Sequence, residues 1–216
     1  MKKLIKTFEN NCKTWQNKYK NKKIRFIFNE DLNQLNKEEI KYMLIADNPG
    51  QMEAEKKRYL IGPAGISARV FFERTLVSNF KKEVLVLNKT PIYTNTTKEL
   101  EQYDITTESQ EFMVDLIYQL SKILQKPVII MGYSNGLIKR KDKLVITKNI
   151  LAPFFHKFAE YVKEKKITDY YIINHFSRNS FYASKYISIE DYENNYANIL
   201  FIQGQLNKQM FEKHIF

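Results

Sequence analysis

A few polar residues stand where an open α/β sheet would bring them together. Asp47 and Asn48 follow the apolar run Tyr42-Met-Leu-Ile-Ala46 and open an Asn-Pro-Gly turn that ends at Gly50. Asn88 closes the run Val84-Leu-Val-Leu, and His175, Ser177 and Arg178 follow Tyr170-Tyr-Ile-Ile-Asn174. Singly, each is ordinary: Asn-Pro-Gly punctuates many chains, and a His or Asn past a strand often serves only its own loop. Together they place a carboxylate, amides, an imidazole, a hydroxyl and a guanidinium at three strand ends. In a parallel sheet those ends share one edge, where a pocket for a polar ligand or a hydrolytic site forms.

A second candidate lies between them. Tyr59-Leu-Ile-Gly-Pro-Ala-Gly65 carries two glycines around Pro63 and Ala64, which suits a tight loop that a ligand can approach closely. The apolar stretch after it reads as a helix over 66–80, and free N–H groups at a helix start favour an anion.

The elements that must position these residues follow from periodicity. Apolar runs bounded by turn formers read as buried strands over 42–45, 83–89, 127–132 and 169–174. Helical spacing appears over 109–125, where Phe112, Leu116, Leu120 and Leu124 form a stripe. It recurs over 151–165, with Phe154, Phe158 and Val162, and from Ile189 onward with Tyr192, Tyr196 and Ile199. The Lys-rich start, to about residue 23, reads as an amphipathic helix through Leu4, Ile5, Phe8 and Trp15, and 25–28 as a short edge strand or extended connection. The cluster Lys139-Arg-Lys-Asp-Lys143 reads as a surface excursion. Alternating strands and helices imply right-handed crossovers. The expected fold is therefore α/β, three α/β/α layers around a mainly parallel four-stranded sheet, in one domain over 1–216.

Composition narrows the partners. A hydrophobic fraction of 44% with 14% aromatic residues argues against disorder. The formal net charge of +11 and pI near 9.4 favour a polyanion such as nucleic acid, although plain lysine usage explains them equally well. Cys12 is the only cysteine, so a disulfide or four-cysteine cluster within one chain is excluded and a reduced cytoplasmic setting is expected. The first residues are too interrupted for a signal peptide, and no run is long enough to span a bilayer. A soluble monomer without a membrane partner is expected.

The motifs, taken in order, resemble those of the uracil-DNA glycosylase superfamily. Ala46-Asp-Asn-Pro-Gly50 is similar to its first motif, a Gly-x-(Asp/Asn/Ala)-Pro-(Tyr/Gly) turn after the first strand. Tyr59-Leu-Ile-Gly-Pro-Ala-Gly65 resembles its glycine-alanine-glycine loop, Leu87-Asn88 the segment with the base-reading asparagine, and His175-Phe-Ser-Arg178 its His-Pro-Ser motif with a DNA wedge. The likeness runs from about 42 to 181.

The resemblance implies a base-excision repair hydrolase for DNA containing uracil or a related damaged base. Asn48 would position the attacking water, with Asp47 sharing or taking that role. Asn88 would read the uracil edge, and His175 would donate to the uracil carbonyl beside the breaking bond. Leu60 stands at the base-stacking position, with Tyr59 one residue earlier, and both would contact the base. Gly62, Gly65 and Ser177 would hold phosphates, and Arg178 would fill the gap left by the extracted base. No metal or other cofactor is required, and the iron–sulfur branch is excluded by the lone Cys12.

Departures are specific. Ala46 replaces the usual Gly, Phe176 the usual Pro, and Leu60 the usual stacking Phe, with Tyr59 and Tyr93 as the rings available to substitute. Two other readings share the same cleft: a noncatalytic nucleic-acid-binding member, and a small-molecule hydrolase.

Overall fold

The computed structural model describes residues 1–22, 24–176 and 196–216, the side chains of 75 and 196–200 excepted. Ser177, Arg178, Phe181 and Tyr192 lie outside the described residues, as do the side chains of Tyr196 and Ile199.

In chain order the helices are α1 (Lys2–Lys18), α2 (Gln51–Lys56), α3 (Pro63–Thr75), α4 (Phe80–Glu83), α5 (Thr106–Leu124), α6 (Ala152–Lys163) and α7 (Tyr196–Ile215). The strands are β1 (Arg25–Phe26), β2 (Tyr42–Ala46), β3 (Val84–Asn88), β4 (Ile92–Tyr93), β5 (Val128–Met131), β6 (Leu137–Arg140), β7 (Lys143–Ile146) and β8 (Tyr170–Ile173). The central sheet has four strands in the order β3-β2-β5-β8, all parallel. It is the expected three-layer α/β/α arrangement.

Each central strand is buried on both faces, which is why it reads as a continuous apolar run rather than an alternation. Successive side chains nevertheless enter different cores. Met43, Ile45, Leu85, Leu87, Val128, Ile130 and Ile172 pack with α1, α5 and α6 on one face. Leu44, Ala46, Val84, Val86, Ile129, Met131 and Ile173 pack with Ala68, Phe71 and Phe72 of α3 on the other.

Several boundaries differ from expectation. The helix expected over 66–80 begins earlier, at Pro63, and stops at Thr75; Asn79 then caps α4 through its side chain. Within α3, Ala68, Phe71 and Phe72 face the core, whereas Val70 is exposed. Residues 51–56 form a helix that their charge concealed. The edge segment at 25–26 does pair, but with β4 in a separate two-stranded antiparallel sheet. The basic excursion is an ordered β6–β7 hairpin.

Candidate functional site

Register builds the site. Ala46 of β2 pairs with Asn88 of β3, Ile45 pairs with Ile130 of β5, and Met131 pairs with Ile173 of β8. The four strands therefore end in one row, and Asp47, Lys89, Gly132 and Asn174 form the next row, with His175 one residue beyond. Alternation then sorts the side chains. Ala46, Asn88 and Met131 share the α3 face, where they line a cavity of about 380 Å³. Also on its wall are Asp47, Asn48, Gly50, Glu53, Leu60, Gly62, Pro63, Ala64, Thr94, Asn95, Thr97, Ser134, Asn135 and His175.

Lys89 has the opposite parity, on the face of Leu85 and Leu87, and its side chain is fully buried. Its Nζ donates to the Asp47 carboxylate, to Met131 O at 2.9 Å and to Gly132 O at 2.6 Å, and lies 5.7 Å from the Phe155 ring centre. Its backbone N–H donates to Ala46 O and Asp47 O. An ammonium in such a site is tolerated only because its donors are matched and a carboxylate faces it. Burial pushes its pKa below the ordinary lysine value, and the Asp47 charge and hydrogen bond oppose that shift. The other Asp47 oxygen, Oδ2, accepts from Asn135 Nδ2 at 3.0 Å.

Asn48 is clamped from the polar loop after β3. Its Nδ2 donates to Thr94 Oγ1 at 2.9 Å and its Oδ1 accepts from Thr97 Oγ1 at 2.9 Å. These bonds define which amide atom faces where, and the carbonyl keeps a second lone pair. Asn88 is nearly buried, and among the described residues its side-chain amide has no hydrogen-bond partner. It presents both a donor and an acceptor to the cavity.

His175 is half-buried and stands against Gly132. A Cβ placed on Gly132 would meet His175 Cδ2 at 2.9 Å and Asp47 Oδ1 at 3.3 Å, and Gly132 has φ +73°. The missing side chain thus leaves room for both the imidazole and the carboxylate beside the Gly132 backbone.

The glycine loop behaves differently from expectation. Gly62 donates its N–H to Glu53 Oε1 at 3.2 Å, as does Ile61, while Gly50 donates to Glu53 Oε2 at 3.1 Å. The carboxylate of Glu53 therefore takes up the Gly62 donor expected to hold a phosphate and ties the two turns together. Gly65 is required for packing: a Cβ there would meet the Leu60 carbonyl oxygen at 1.8 Å. Leu60 lines the cavity at φ +54°. Tyr59 does not line it; its ring is buried and its hydroxyl donates to Ile27 O, and burial pushes its phenol well up. Tyr93 also lies off the wall, with its hydroxyl donating to Asn95 Oδ1 at 2.6 Å and Arg25 over its ring.

The structure thus gathers Asp47, Asn48, Asn88, Leu60, Gly62 and His175. Sequence reasoning missed Lys89, Glu53, Thr94, Thr97 and Asn135. Glu53 sits three residues after Gly50, the spacing of a capping box, and Asn135 lies four residues past the end of β5. Among the described residues no group of three or more His, Cys, Asp or Glu could hold a metal ion, and no helix is long and apolar enough to cross a membrane. In comparisons with known proteins, no family model and no curated relative matches this chain.

Proposed function

We propose that the protein is a DNA glycosylase that hydrolyses the N-glycosidic bond of uracil, or of a related deaminated base, in DNA. The observation that carries this reading is the convergence of Asp47, Asn48, Asn88 and His175, from three strand ends, on one cavity of about 380 Å³. The motif order described above adds to it.

The chemistry suits those groups. A stacked base must leave the helix at a cost of about a few kcal/mol, least for a mispaired one. Asn88 offers an unpaired amide to its edge. As the bond between C1′ and the base nitrogen breaks, the electron pair leaves with the base and the sugar becomes oxocarbenium-like. A His175 donor aimed at the base carbonyl takes up that developing negative charge, while the Asp47 carboxylate supplies negative charge toward the sugar. Water held at Asn48 Oδ1 adds to C1′ and passes a proton to Asp47 or to solvent. An Asn paired with a carboxylate already held by Lys89 and Asn135 makes a weak base, adequate only where departure of the base runs ahead of attack.

That last feature also supports a second reading, a noncatalytic nucleic-acid-binding member of the same fold. A glycosylase assay separates the two. Oligonucleotides carrying uracil in single strands, U:A or U:G pairs, or hypoxanthine should give abasic product, and His175→Ala should reduce it about 100-fold or more. Intact substrate at enzyme excess, with DNA bound, would establish the binding reading. A chain that neither binds DNA at low salt nor releases a base would point to a small-molecule hydrolase.

A further inference from the structure

The basic excursion at 139–143 is unused by the strand-end cavity, yet it is built as a rigid element. Strands β6 and β7 pair antiparallel, Leu137 and Leu144 bury the inner face, and Lys141 turns the tip at φ +52°. At the base, Thr147 donates its N–H to Gly136 O at 3.0 Å and its hydroxyl to the same oxygen at 3.1 Å. At the tip, Asp142 pairs with Lys213 of α7 at 2.9 Å.

Alternation puts Ile138, Arg140, Lys143 and Val145 on the outer face. Arg140 and Lys143 are direct cross-strand partners. Like charges directly opposite one another oppose pairing, so this site carries a built-in electrostatic cost. Among the described residues neither side chain is in an ion pair, and the single carboxylate of the hairpin, Asp142, is already taken by Lys213. The positive field reaches α7: burial first, then the Lys143, Lys163 and His156 charges, hold His214 below its ordinary pKa. An anion seated between Arg140 and Lys143 would remove the repulsion.

We propose that the outer face of the β6–β7 hairpin, centred on Arg140 and Lys143, is a docking surface for the phosphate backbone of a nucleic acid, separate from the strand-end cavity. Several cations on a preordered frame match a polymer of phosphates, as does the net charge of +11. An anionic membrane suits the surface less well, because Ile138 and Val145 offer little apolar area to insert.

The test is the salt dependence of binding to a short duplex free of any lesion, followed by fluorescence anisotropy, so that base release plays no part. Replacing both residues (Arg140→Gln with Lys143→Gln) should weaken binding about tenfold or more at low salt. It should also make the slope of log K against log salt shallower by about 1–2. A charge-matched control, Lys2→Gln with Lys3→Gln on α1, should change the slope less. Circular dichroism should show the hairpin variant folded, with a melting temperature equal to or above wild type. An unchanged slope in the hairpin variant, an equal loss in the control, or wild-type binding to phosphatidylserine vesicles but not to DNA would each overturn the proposal.

Discussion

The Lys89 ammonium is completely buried and donates to the Asp47 carboxylate, although 42 residues separate them in the chain. The same Nζ reaches the Met131 and Gly132 carbonyls, so one side chain joins the ends of β2, β3 and β5 beneath the cavity. Removing one member of a buried pair strands the other, at about 3–5 kcal/mol, whereas removing both is far milder. Lys89→Met should therefore lower the urea midpoint sharply, and Lys89→Met combined with Asp47→Leu should recover much of the loss. Additive losses in the double variant would show that the two side chains do not act as a pair.

The Asn48 amide is oriented by Thr94 and Thr97. If that orientation holds the attacking water, Thr97→Val should lower kcat for base release about tenfold, the worth of one hydrogen bond of about 1.4 kcal/mol. KM for DNA should stay near wild type, and Thr97→Ser should restore the rate. A KM effect alone would mean that Thr97 serves binding.

Much of this arrangement is legible in the sequence, and the remainder has identifiable causes. The four apolar runs and their polar ends predict the sheet and the polar row along its strand ends, because burial on both faces demands uninterrupted apolar residues. Legible too are Asp47, Asn48, Asn88 and His175, since parallel register carries strand ends to one row. Lys89 is hidden because lysine is a surface residue by default; only three-dimensional register reveals three acceptors around it. Glu53 is hidden for a related reason. The Gly62–Gly65 loop advertises an anion site, but the anion it holds at Gly62 comes from the chain itself. Tyr59 reads as a ring for stacking, yet a buried hydroxyl needs an acceptor, and Ile27 O supplies one inside the core.

Gly132 leaves room for the His175 imidazole and the Asp47 carboxylate on the same side of its backbone. Gly132→Ala imposes a strained left-handed alanine and a methyl group inside contact distance of the imidazole. The expected outcome is about 1–2 kcal/mol of lost stability by denaturant titration. On the proposed glycosylase reading, a proportionally larger loss of base release should accompany it, because the imidazole must move away from the added methyl group. Equal activity at equal folded fraction would remove this contact from the mechanism.

Glu83 fixes the start of the strand that ends at Asn88. Its carboxylate accepts from the Ser78 hydroxyl at 2.6 Å, from Lys41 at 2.9 Å and from the Ser78 backbone N–H at 3.1 Å. The Ser78 hydroxyl, then Lys41, hold its pKa down at about 2, from an ordinary 4.5. A carboxylate depressed on folding binds fewer protons in the native state than in the unfolded one, so its contribution is complete above the unfolded value. It then fades as pH falls from about 4.5 and is gone near 2. Glu83→Gln should therefore lower the urea midpoint at neutral pH, and the gap to wild type should narrow through that window. A gap that stays constant from neutral pH to the acid limit would show that the carboxylate charge contributes nothing at this site.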